Sequence, residues 1–139
     1  MFLDASAAVA ILNREPGHEE LLKLLDRSPT AILYSPLSRF ETIVSLARSR
    51  AGPNRAATPA QIQAVKVAVD LFLSELRAES LDITDKIGDG ALAAAQTYGR
   101  AVGHQADLNF GDCFAYACAK DQRMSLLYKG DDFAKTDLA

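Results

Sequence analysis

Apolar residues alternate between short uninterrupted runs and longer stretches at helical spacing, the rhythm of strands followed by helices. Residues 1–4 form a short apolar strand, and residues 6–13 follow at once as a helix with Asp4 or Ser6 at its N-cap. Residues 16–26 continue as helix, with Leu21, Leu22, Leu24 and Leu25 on the apolar side. The β-rich run 31–35 is the second strand, and Pro36 opens a helix at its first turn. Leu37, Phe40, Ile43, Val44 and Ala47 make an apolar stripe along that helix. The turn-rich stretch 51–60 reads as a surface loop. Pro59 then starts a long helix reaching about Glu79, with Ile62, Val65, Val69, Phe72, Leu73 and Leu76 on its core face.

Residues 81–83 are a brief third strand, 84–98 an alanine-rich helix and 99–108 a polar loop. Asn109 or Gly111 begins the helix that carries Asp112, Cys113, Tyr116 and Ala117. Residues 125–128 are the last strand, after which Gly130, Asp131 and Asp132 turn the chain into Phe133. Strands alternating with helices predict an α/β fold with a parallel sheet covered on both faces. In such sheets ligands bind beyond the carboxyl ends of the strands.

The length of 139 residues predicts a single domain, 1–139. The hydrophobic fraction, 49%, supplies a core without disulfides or a structural metal. No apolar run approaches the ~20 residues of a membrane span. The opening segment has no basic region and carries Asp4, which argues against a signal peptide and for a cytoplasmic protein. Cys113 and Cys118 point apart on one helix and read as small buried hydrophobes. The net charge of −3 counts mildly against a nucleic-acid binder, unless the acids are gathered in a site that a cation neutralises. Arg48, Arg50, Arg55, Lys66 and Lys129 are the cations available to line a groove.

The acids carry the chemistry. Asp4, Glu41, Asp112 and the pair Asp131/Asp132 each stand beside apolar sequence, at a strand end or helix start. Such carboxylates need hydrogen bonds, a partner charge or a metal. Each has a plain explanation on its own: Asp4 as a helix cap, Glu41 on a solvated helix face, Asp112 as a first-turn charge paired with Asn109, and Asp131/Asp132 as a turn. None explains why all of them fall at one end of the inferred sheet. An oxygen-only donor set suits Mg²⁺ or Mn²⁺ rather than zinc or copper. Helix N-termini help hold the carboxylates ionised.

The segments MFLDASAAVAIL, RFETIVSLAR, YGRAVGHQADLNFGDCFAYACAK and SLLYKGDDFAKTDL resemble those of the PIN-domain ribonuclease toxins called VapC, in order, spacing and overall length. The resemblance implies a three-layer α/β/α fold and a Mg²⁺-dependent endoribonuclease toxin of a type II toxin–antitoxin system. It also implies a homodimer and a cognate antitoxin protein. Asp4 matches the first family acid, Glu41 the second and Asp112 the third. The fourth falls at Asp131 or Asp132, where many PIN domains separate two acids by one residue. The place before Phe133 favours Asp132, with Asp131 as fallback and as a side-chain cap for the turn that follows. The expected metal ligands are Asp4, Asp112 and Asp132, with Glu41 serving a second ion or acting through water. Ser6 matches a small hydroxyl residue beside the first acid, and Asn109 a capping position.

Clustered carboxylates need a counter-charge, which one or two Mg²⁺ would supply, with Mn²⁺ as substitute. RNA is the expected substrate. A receiver domain would need an acceptor Asp at a middle strand end, where Ser35 and Ile83 stand instead. A haloacid-dehalogenase-type phosphatase needs an Asp where Ser6 stands. The alternatives that remain are a metal-dependent DNA nuclease and a PIN-like protein-interaction module without nuclease activity.

Overall fold

The first strand lies in the middle of the sheet, and that placement organises everything around the acids. The computed structural model describes residues 1–138. Its sheet holds β1 (Phe2–Leu3), β2 (Leu33–Tyr34), β3 (Glu79–Ser80) and β4 (Leu126–Leu127) in the order β3-β2-β1-β4. All neighbours are parallel, with Phe2 opposite both Leu33 and Leu126. The chain grows outward from β1 to β2 and β3, then returns to the other side of β1 with β4. The strand order therefore reverses between β1 and β4, where α/β sheets open a crevice for ligands.

Side chains alternate across the strands. Leu3 and Leu127 enter one core with α1 (Ala5–Leu12), α2 (His18–Asp26), α3 (Pro36–Ala51) and α4 (Pro59–Glu75). Phe2 and Leu126 enter a second core with α5 (Asp85–Tyr98) and α6 (Phe110–Asp121). The result is the three-layer α/β/α sandwich expected from the sequence. Cys113 and Cys118 are free and buried. Among the described residues, no helix is long and apolar enough to cross a membrane.

Three expectations need correction. The third strand is Glu79–Ser80, not residues 81–83, and α4 stops at Glu75. Arg77 adopts a left-handed φ of 51° and the Ala78 amide bonds back to the Leu73 carbonyl, a Schellman-type ending. The freed chain then pairs with β2 through Glu79 N–H to Ile32 O and Leu81 N–H to Tyr34 O. Phe40 is 62% exposed and is no part of the α3 core stripe. Ser38 and Thr42 are buried instead, their hydroxyls bonded to the carbonyls of Ser35 and Ser38.

The C-terminal segment is strapped down. Phe133 is buried against Tyr128, with ring centroids 5.0 Å apart. Thr136 Oγ1 donates to the Phe133 carbonyl at 2.8 Å. Asp137 accepts from Tyr116 Oη at 2.6 Å and from Lys120 Nζ at 2.7 Å, which ties the tail to α6.

Candidate metal centre

Asp4 follows β1 directly, and its amide donates to the Leu127 carbonyl at 3.0 Å, extending the ladder between β1 and β4. Its carboxylate is buried and caps α1: Oδ2 accepts from the Ser6 amide at 2.9 Å and from the Ser6 hydroxyl. The Ser6 hydroxyl also accepts from the Lys129 amide at 3.0 Å. One hydroxyl thus joins the first acid to the loop that carries the last. Lys129 reaches on to the Pro16 carbonyl at 2.8 Å and fastens the α1–α2 turn.

Asp112 sits in the first turn of α6, within a reciprocal cap. Its amide donates to Asn109 Oδ1 at 3.1 Å, and its Oδ2 accepts from the Asn109 amide at 2.8 Å. Asp4 and Asp112 thus both act as caps, as their plain readings held. That role engages Oδ2 of each and leaves Oδ1 for a further partner.

Glu41 arrives from the second turn of α3, half-buried against the α6 terminus. Gly111 makes this approach possible, because a Cβ there would lie 2.5 Å from Glu41 Cδ. In the sequence Gly111 stands out only as a helix start. A glycine immediately before an acid in a first helical turn was the available signal.

The electrostatics show that these acids are neighbours. Burial raises the pKa of Asp4, against the stabilising bonds from Ser6, and the charge of Asp132 raises it further. Glu41 is pushed up to about 7, first by burial and then by Asp4 and Asp112. Asp112 is pushed up to about 6 by burial and by Asp4 and Asp132, against the Asn109 amide and the charge of Arg100. Asp131 is not among the charges acting on any of the three. Asp132 stands at the N-cap of the last turn, Phe133–Lys135. The expected side-chain cap by Asp131 is not found there: only its backbone carbonyl accepts, from the Ala134 amide at 3.1 Å.

The donor set is carboxylate oxygen, which fits a hard divalent cation. Among the described residues, no three His, Cys, Asp or Glu side chains converge in ligating geometry as they stand. Asp4 and Asp112 are turned toward their capping amides, so the acids gather at one end of the sheet without forming a finished cage. Of the cations noted from sequence, Lys66 pairs with Asp70 at 2.9 Å, and Arg48 and Arg50 end α3. Arg100, passed over in the sequence, is the cation that acts on Asp112.

Comparison with known proteins agrees with this architecture. The PIN domain family model matches residues 1–138. A VapC ribonuclease of Rhizobium meliloti is 45% identical over 139 residues, covering 99% of this chain and 98% of the relative. Ribonuclease VapC42 of Mycobacterium tuberculosis is 34% identical over 143 residues, covering 99% and 96%. The crystal structure of Mycobacterium tuberculosis VapC20, described as a toxin that cleaves the sarcin–ricin loop, superposes with a TM-score of 0.66 at 18% identity. It covers 96% of this chain and 92% of that one, and it supports the fold. Fold and sequence kinship agree, and the chain belongs to the PIN-domain family as a VapC-type member.

Proposed function

We propose that the chain is a Mg²⁺-dependent endoribonuclease toxin of a type II toxin–antitoxin system, with Mn²⁺ as a substitute cation. The observation that carries the reading is the gathering of Asp4, Glu41 and Asp112 at the strand-order reversal, where Glu41 packs against Gly111 and the charges of Asp4 and Asp112 act on it. The relatives named as ribonucleases support RNA as the substrate. Asp4, Asp112 and Asp132 would hold the cation. The cation supplies Lewis acidity toward the scissile phosphate and toward water. Glu41, half-buried beside these acids, would orient water or serve a second ion. Ser6 and Asn109 fix the orientations of Asp4 and Asp112.

The reading carries a cytoplasmic homodimer and a cognate antitoxin. An acidic ring attracts an arginine fork, so the antitoxin would place Arg or Lys beside Asp4 and Asp112. Its apolar part would cover α2, where Leu22 and Leu24 are 40% and 50% exposed.

The test is cleavage of a structured RNA by purified protein with Mg²⁺ or Mn²⁺, abolished by EDTA and by Asp112→Asn while far-UV circular dichroism stays native. Cleavage that survives either treatment removes the metal mechanism. Equal cutting of single-stranded DNA would favour the DNA-nuclease alternative. Binding of an antitoxin without any cleavage would favour the interaction module.

A further inference from the structure

The lysines of the chain divide into two kinds. Lys23, Lys66, Lys86 and Lys120 pair with the carboxylates of Glu20, Asp70, Asp121 and Asp137. Lys129 and Lys135 differ, although Asp131 and Asp132 lie between them in sequence. Lys129 Nζ donates to the Pro16 carbonyl at 2.8 Å, 113 residues away, and Lys135 Nζ to the Gln105 carbonyl at 3.3 Å, 30 residues away. Lys129 is fixed a second time, because its amide donates to Ser6 Oγ at 3.0 Å and Ser6 in turn bonds Asp4. Gly17 admits the ammonium, since a Cβ there would stand 3.0 Å from Nζ. Gly130 then turns the chain with a φ of 110°, where most side chains are strained. Beyond the turn Phe133 is buried, and Lys135 ends the short helical turn that follows. Between these fixed points stands Asp132, whose charge acts on Asp4 and Asp112. Neither ammonium is among the charges acting on Asp4, Glu41 or Asp112.

We propose that Lys129 and Lys135 are positioning residues of the acid centre: they hold the Gly130–Asp132 turn at both ends through distant main-chain carbonyls and so set Asp132 against Asp4 and Asp112. A carbonyl anchors an ammonium without using up a carboxylate. A lysine closed on Asp132 would instead occupy the acid that a cation needs. A hydrogen bond from a charged donor is about twice as strong as one between neutral groups, which suits a single tether to this task. Lys129 is the stronger anchor, because its ammonium and its amide tie one residue to Pro16 and to Ser6. The inference rests on the cation of the nuclease reading. It makes the turn between α1 and α2 part of what places the fourth acid.

The test compares Lys129→Met, Lys135→Met and Lys129→Arg with the native chain, by calorimetric titration with Mn²⁺ in the absence of RNA and by RNA cleavage in Mg²⁺. Methionine keeps an apolar stem and removes the charged donor, whereas arginine keeps a charged donor. Charge and position predict opposite signs. Removing a positive charge near an acidic site should tighten cation binding. Removing an anchor behind a ligand should weaken it by ~10- to ~100-fold, the range for groups that orient metal ligands. Weaker Mn²⁺ binding is expected in Lys129→Met, a smaller loss in Lys135→Met, and near-native binding in Lys129→Arg. Cleavage should show the loss in kcat, with KM for RNA held. Both lysines are exposed, so far-UV circular dichroism should stay native throughout. Equal or tighter Mn²⁺ binding in Lys129→Met overturns the proposal. A raised KM with Mn²⁺ affinity unchanged also overturns it, because Lys129 is then a phosphate contact. If the methionine variants lose Mn²⁺ affinity as expected while the native chain cuts no RNA, the positioning role stands and the nuclease reading falls.

Discussion

Replacing Glu41 by glutamine should stabilise the metal-free protein, and only above mildly acidic pH. Burial and the charges of Asp4 and Asp112 push Glu41 from 4.5 up to about 7. Its folded-state pKa therefore lies above the unfolded one, so the folded protein binds the extra proton between those values. Stability attributable to this group must fall as pH rises from 4.5 to about 7, then level off. At ~1.4 kcal/mol per pKa unit the gap corresponds to ~3 kcal/mol, and solvent screening at a half-buried side chain reduces it to ~1.5 kcal/mol. Glutamine keeps the shape and never ionises. Differential scanning fluorimetry in EDTA should show Tm of Glu41→Gln rising above the native chain by ~3–8 °C at pH 8, with the difference nearly gone at pH 4.5. Saturating Mg²⁺ should shrink the pH 8 difference by neutralising the native acids. A Tm difference that does not change between pH 4.5 and 8, or a variant less stable at pH 8, would refute the argument.

Gly111→Ala should cost ~1–3 kcal/mol and most of the cleavage, because its methyl group would overlap the Glu41 carboxylate. On a Glu41→Ala background the stability cost should largely vanish, a coupling that chemical denaturation of the four proteins in the cycle measures. Asp132→Asn should abolish most cleavage and weaken Mg²⁺ binding, while Asp131→Asn keeps much of both, because only Asp132 acts on Asp4 and Asp112. Isothermal titration with Mn²⁺ ranks the two, and the reverse order would make Asp131 the fourth ligand. Melting should rise with Mg²⁺, by about 2.7 kcal/mol at ~100-fold above Kd, and less in Asp4→Asn. Indifference to millimolar Mg²⁺ would count against the cation site.

The layers and the acids could be read from the sequence for a physical reason. Buried strands such as 1–4 and 125–128 must be apolar, and a carboxylate at their ends stands out against them. β3 escaped because it is a two-residue edge strand of exposed polar residues, Glu79 and Ser80, paired only through its backbone. Phe40 misled because helical periodicity assumes that apolar residues face inward. Here the inward positions belong to Ser38 and Thr42, whose hydroxyls are satisfied by α3's own carbonyls and its cap. The Gly111–Glu41 approach joins α3 to α6, and no local pattern encodes it. Arg100 looked like any loop cation, because its nearness to Asp112 depends on the backbone bridge between Gly99 and Leu108.

The central position of β1 also orders events in time. Phe2–Leu3 is the first strand to be made, yet one of its two neighbours, β4, is Leu126–Leu127. Asp132 is synthesised ~6–25 s after Asp4 at ordinary elongation rates. Until then the emerging chain has an open edge on β1 and an incomplete acid ring. A polypeptide that stops short of Leu126 lacks β4, Asp132 and the Asp137 strap together. Translation products that end before Asp132 are therefore expected to be inert, because the set of acids is complete only once β4 and the turn after it have been made.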